Sequence, residues 1–106
     1  MPRDVIAALA TPAGESAIAV VRACGEGCLT LVEKLFSLEE GRLAGMRRAV
    51  AQCPGTARGA EALLISWPAG RSFTGEEMVE IMCPGSMRVV RGVLVSLQNA
   101  GARLAR

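Results

Sequence analysis

Val5 to Ala10 is a short apolar run between Asp4 and Thr11-Pro12-Ala13-Gly14, a pattern that predicts a strand entering a turn. Ala17 to Arg22 is nearly continuous in apolar residues and predicts a second strand, buried on both faces or lying at an interface. Gly14 and its neighbours suit a tight hairpin between the two. From Glu26 to Leu38 the period changes. Leu29, Val32, Leu35 and Phe36 recur at helical spacing with Glu33 and Lys34 pointing elsewhere, and Glu39-Glu40-Gly41 ends the helix.

Met46 to Cys53 reads as a strand, Cys53-Pro54-Gly55-Thr56 as a turn, and Glu61 to Trp67 as another strand, stopped by Pro68-Ala69-Gly70. Arg71 to Glu76 is a polar loop. Met78 to Cys83 alternates: Val79 and Ile81 share one side, Met78, Glu80 and Met82 the other. Pro84 suits the first turn of a helix that runs to about Asn99. Met87, Val90, Leu94 and Leu97 form its apolar stripe, and Gly101 stops it. A last short strand is expected at Ala102 to Ala105. The order predicts one α+β domain over residues 1–106, a mixed β-sheet with two helices.

Composition narrows the chemistry. Of 106 residues, 51% are hydrophobic, which is a folding chain. The aromatics are only Phe36, Phe73 and Trp67, so few platforms exist for stacking bases. Twelve basic against ten acidic residues leave a net charge of +2, too balanced for nucleic-acid binding by bulk charge. Arg47-Arg48 and Arg88 with Arg91 are small basic pairs that read as solvated faces, with phosphate binding as the alternative. Histidine is absent, which removes imidazole acid–base chemistry and every zinc site that needs it.

Cys24, Cys28, Cys53 and Cys83 accompany no secretory signal, so reduced thiols in the cytosol are the default. Cys24 and Cys28 are spaced to share a helix face, yet no second ligand pair follows, and no metal site is expected. The apolar run at the N-terminus is too short for a membrane span. No GxxxxGK[ST] loop is present, so nucleotide phosphates are not cradled in the P-loop manner. Gly25-Glu26-Gly27 lacks the third glycine of a dinucleotide fingerprint.

Two charged residues stand in apolar strands: Arg22 ends the run from Ala17, and Glu80 lies within Met78 to Cys83. Such charges are paired, exposed at an edge, or used for binding. The pattern leaves open a solvated or internally bridged pair and a pocket holding one guanidinium and one carboxylate. Ser72-Phe73-Thr74-Gly75-Glu76-Glu77 is a loop dense in hydrogen-bonding groups around one aromatic: Ser72 to Gly75 is a candidate pocket loop with Phe73 as lid or anchor, or a segment that Phe73 pins to the core.

These segments resemble a known family. Asp4 to Gly14 followed by AIAVVRACG (Ala17 to Gly25) is similar to the opening of the bacterial tRNA-modification GTPases called MnmE or TrmE: an apolar strand, a TPxG turn, and a strand ending "R-x-S-G". PAGRSFTGEEMVEI (Pro68 to Ile81) resembles their "P-x-S-F-T-G-E-D-x-x-E" motif. Gly101 to Ala105 is similar to the segment preceding their "P-G-E-F-T". The likeness runs through the whole chain and is weak between Glu39 and Gly59. SFTGE with matched flanking strands is the specific signal.

The resemblance implies an N-terminal domain, aminomethyltransferase-like in fold, that binds 5-formyl-tetrahydrofolate or a related one-carbon tetrahydrofolate and joins two subunits. It implies that the family's folate-contacting Arg falls on Arg22 and its folate-contacting Glu on Glu80, in positioning roles. It also implies that the helical and G domains lie outside this chain, and with them GTP, potassium and magnesium binding. The complete system would act with MnmG on the wobble uridine of tRNA in the cytoplasm, with no membrane involved. No catalysis is expected of this chain alone. Where the family reads "I-H-C-H-G-G", this sequence reads Ile81-Met82-Cys83-Pro84-Gly85-Ser86, which puts proton handling at that corner in doubt. A family folate-contacting Lys lies beyond Arg106. The competing expectations are a purely structural dimerisation module and, more remotely, a stand-alone one-carbon transferase.

Overall fold

The computed structural model describes residues 4–11, 17–70 and 75–105. The elements are β1 (Ile6–Leu9), β2 (Ile18–Cys24), α1 (Cys28–Leu35), α2 (Arg42–Met46), β3 (Arg48–Gln52), a 3-10 helix (Gly55–Ala57), β4 (Glu61–Trp67), β5 (Met78–Pro84), α3 (Met87–Asn99) and β6 (Arg103–Leu104). The six strands form one sheet in the order β3-β4-β5-β2-β1-β6. All neighbours are antiparallel except β6, which runs parallel to β1 and makes the sheet mixed. The α+β expectation holds, with α2 as a third helix. The turn at Gly14 lies outside the described residues, but the antiparallel β1–β2 pairing it serves is present.

Alternation along the strands decides which face is covered. Val21 and Ala23 of β2, Val79 and Ile81 of β5 and Leu64 of β4 are buried with the apolar faces of α1 and α3 in one core. The other face is open. Ile18 is 61% exposed, Val50 62% and Leu63 37%, so β2 is not buried on both sides.

Several local expectations are corrected by tertiary contacts. Helix α1 ends at Leu35 rather than near Gly41: Ser37 takes φ 58, and the Leu38 N–H reaches the Glu33 carbonyl at 2.8 Å. This is a Schellman closure, with the partly buried Leu38 after the turn packed against the core. Glu33 does not point to solvent. It is buried, and its carboxylate accepts the N–H groups of Gly41 at 3.1 Å and Leu43 at 2.8 Å, capping α2. Two backbone donors stabilise this buried carboxylate.

Pro84 closes β5, opposite Ile18, and does not open α3. Ser86 is the cap, its hydroxyl accepting the Val89 N–H at 3.2 Å. The buried stripe of α3 is Val89, Val90, Val93 and Leu97, with Leu94 only partly buried and Met87 61% exposed. The stripe is rotated because Gly92 lies against the 3-10 helix: a β-carbon there would stand 2.6 Å from the Ala57 nitrogen. The C-terminus follows expectation. Gly101 takes φ 119, and the N–H groups of Gly101 and Ala102 reach the Gln98 and Leu97 carbonyls.

Candidate functional site

Arg22 and Glu80 are direct cross-strand partners on β2 and β5. Side chains opposite each other in an antiparallel pair share a face, and this face is the open one. The Arg22 guanidinium donates twice to a single carboxylate oxygen, from Nε at 3.1 Å and from a terminal nitrogen at 2.7 Å to Glu80 Oε2. Among the described residues nothing donates to Glu80 Oε1. The two side chains are 33% and 17% exposed. The pair is therefore largely sheltered while one side of it stays reachable.

The register sets its surroundings. Ala8, Arg22, Glu80, Ile65 and Arg48 form one row across five strands. The next row, Val20, Met82, Leu63 and Val50, is wholly apolar, and the row on the other side holds Cys24, Met78 and Trp67. The ion pair is thus a polar strip in an apolar face. Met82, where the resembled family carries its first His, lies one row from Glu80 and offers no proton. Cys83 faces the core, and Pro84 and Ser86 serve the strand end and the helix cap.

Ser72, Phe73 and Thr74 lie outside the described residues. Gly75 lines a cleft of about 310 Å³ with Glu26, Ala69, Glu76 and Glu77. Glu77, read from the sequence only as the last member of the polar loop, ties the loop's end to β2 and α1. Its carbonyl accepts the Gly25 N–H at 3.0 Å, and its carboxylate accepts the Leu29 N–H at 3.2 Å. An acidic residue aimed at the first turn of a helix is the signal that marks such a role, but here it comes from the loop that precedes β5 rather than from the helix itself.

The cysteines divide by element. Cys24 ends β2 and Cys28 begins α1, so they do not share a helix face. Cys28, Cys53 and Cys83 are buried. Burial, reinforced by the nearby Glu77 charge, pushes the Cys28 thiol up to about 12. Burial, with Cys53 alongside, pushes Cys83 up to about 11. Such thiols are inert. Among the described residues no group of three or more His, Cys, Asp or Glu side chains is placed to hold a metal ion. No helix among them is long and apolar enough to cross a membrane.

The basic pairs also separate. Arg88 donates to the Thr56 carbonyl at 2.6 Å, fastening the 3-10 helix to α3. Arg47 and Arg48 instead line a cleft of about 280 Å³ with Ile65, Ser66 and Trp67, at the β3 end of the row that holds Glu80.

Residues 5–106 match the family described as the GTP-binding protein TrmE N-terminus. A protein of Symbiobacterium thermophilum is 40% identical over 111 residues, covering 99% of this chain and 24% of its own length. One from Aquifex aeolicus is 42% identical over 106 residues, covering 97% and 23%, and one from Thermus thermophilus is 40% identical over 107 residues, covering 97% and 25%. Each is called a tRNA modification GTPase MnmE. The chain spans about a quarter of the length of these relatives.

Proposed function

On the premise that this chain belongs to the TrmE N-terminal family, we propose that it is the tetrahydrofolate-binding and homodimerising domain of a GTPase that modifies the wobble uridine of tRNA. The observation that carries the folate reading is the one-sided Arg22–Glu80 pair. A carboxylate offers about four lone-pair sites, and Glu80 spends only those of Oε2 on Arg22. Oε1 can take the adjacent amino and ring N–H groups of a reduced pterin, and the Arg22 guanidinium is the kind of group that recognises a carbonyl or carboxylate of the same ligand. The donor set fits 5-formyl-tetrahydrofolate or a related one-carbon folate. Neither residue needs to exchange a proton, so their role is positioning, with Ser72 to Gly75 as the neighbouring loop.

Dimerisation is supported by the apolar row beside the pair. Val50 and Leu63 lie exposed on one open sheet face with Ile18, Val20 and Met82. A second copy laid on this face would remove that surface from water. In the complete protein, GTP with potassium and magnesium would belong to a separate G domain, with MnmG as partner and tRNA as substrate, in the cytoplasm.

One observation favours the second reading, a purely structural module: Arg22 and Glu80 are already ion-paired with one another, and Met82 stands beside them as an apolar neighbour. Calorimetric titration with 5-formyl-tetrahydrofolate separates the two. Folate positioning requires that the chain bind and that Arg22→Ala and Glu80→Ala each weaken binding at least about tenfold, roughly 1.4 kcal/mol. A folded dimer that gives no heat supports the structural module.

A further inference from the structure

We infer that the cleft formed by Arg47, Arg48, Ile65 and Trp67 is a second subsite, which takes the carboxylate-bearing tail of the ligand whose heterocycle sits at Arg22 and Glu80. The inference rests on the folate reading above and extends it to the other end of the molecule.

Three independent features converge on this cleft. Its two guanidinium groups are uncommitted: among the described residues neither Arg47 nor Arg48 has a side-chain hydrogen bond or ion pair, in contrast to Arg22, Arg88 and Arg103. A planar guanidinium is the preferred partner of a carboxylate, which it can grip with two parallel N–H groups.

The backbone at Arg47 is left-handed, φ 64, ψ 3. There it closes α2, its N–H bonded to the Leu43 carbonyl at 3.1 Å. Glycine fills such a position without strain, whereas a side chain costs on the order of 1 kcal/mol. An arginine held where glycine is cheaper points to a use for its side chain.

The third feature is the path. Arg48 lies in the same row as the ion pair, with Ile65 between it and Glu80. From Arg22 to Arg48 is three strand spacings, on the order of 14 Å. An apolar residue floors the middle of that path, and Trp67, two residues along β4, borders it. The sequence of groups is guanidinium and carboxylate, then apolar floor, then indole and paired guanidinium. It matches a ligand with a hydrogen-bonding heterocycle at one end, an aromatic spacer, and carboxylates at the other. Two arginines can hold more than one carboxylate, so the cleft would favour a tail that carries several.

The test compares 5-formyl-tetrahydrofolate bearing one glutamate with the same compound bearing three, titrated calorimetrically into the unsubstituted chain, R47G, R48Q and R22A. R47G removes the guanidinium while relieving the left-handed strain, so it is expected to keep the fold. The chain is expected to prefer the triglutamyl form by about fivefold or more, a size suited to added charge-assisted pairs. R47G and R48Q are each expected to bring that preference toward one. R22A is expected to weaken both forms alike and preserve the preference. An unsubstituted chain without preference, or a preference that survives both cleft substitutions, overturns the inference. Binding of neither form instead refutes the folate reading from which it starts. A preference unchanged in R48Q, combined with weaker salt-sensitive retention of tRNA, would assign the cleft to RNA phosphate and likewise overturn it.

Discussion

The Glu33 carboxylate, buried in α1, accepts the backbone N–H of Leu43 at 2.8 Å and so fixes where α2 begins. It also holds the N–H of exposed Gly41, and Glu33→Ala leaves the buried Leu43 N–H short of a partner. The expected loss is about 1–3 kcal/mol, read as a lower urea midpoint without a change in oligomeric state. A midpoint equal to that of the unsubstituted chain would remove Glu33 from the account of stability.

Gly92 supplies a prediction that runs against helix propensity. In an exposed helix Gly→Ala gains up to ~1 kcal/mol, but here the new β-carbon meets the Ala57 nitrogen at 2.6 Å and the Thr56 hydroxyl at 2.8 Å. Overpacking of that kind costs about 1–3 kcal/mol. Gly92→Ala is therefore expected to lower the thermal midpoint; a rise would mean that the 3-10 helix yields freely.

How much of this was legible in the sequence follows from range. The strand Glu61–Trp67, the strand from Met78 to Cys83, and the closure of α3 at Gly101 rest on local alternation and on one glycine, and were readable, whereas the place of Pro84 at the end of β5 was not. The inward turn of Glu33 was not, because its partners are backbone groups of a helix eight to ten residues on, in a stretch whose pattern suggested no element. The rotated stripe of α3 depends on Gly92 meeting Ala57, a long-range packing fact. At the site, Arg22 and Glu80 were conspicuous as charges in apolar strands, and the register set them opposite one another. The cleft at Arg47 and Arg48 was not legible, since two adjacent arginines look like any solvated face until Trp67 and Ile65 are brought beside them.

The thiols titrate in a direction that can be checked. Burial raises Cys28 from 9.0 to about 12 and Cys83 to about 11 in the folded chain. A raised folded value means that the stabilisation is complete below the unfolded thiol value and is lost as pH climbs through the folded one. The urea midpoint is therefore expected to decline between about pH 9 and 12, and to decline less in Cys28→Ala. At pH 8, alkylation of the native chain is expected at half-exposed Cys24 first, with Cys28, Cys53 and Cys83 reacting only on unfolding. Fast labelling of Cys28 in the native state would contradict its burial.

If the open sheet face joins two copies, a charge placed in its apolar row should separate them. Leu63→Glu removes a partly exposed leucine, so the fold is expected to survive while sedimentation shifts from dimer to monomer. A dimer indifferent to this change would place the contact elsewhere.

The most direct measurement exchanges the charges of the central pair. In the double variant R22E/E80R an ion pair can re-form across the same two strands, but the carboxylate and the guanidinium trade places. Partly exposed pairs contribute about 0–1 kcal/mol, so the account predicts stability within about that range of the unsubstituted chain. It also predicts that 5-formyl-tetrahydrofolate, bound by the unsubstituted chain, loses at least about tenfold in affinity, because the ligand reads which residue stands on which strand. A folded exchange variant that binds the folate as well as the unsubstituted chain would contradict the assignment of Arg22 and Glu80 to ligand positioning.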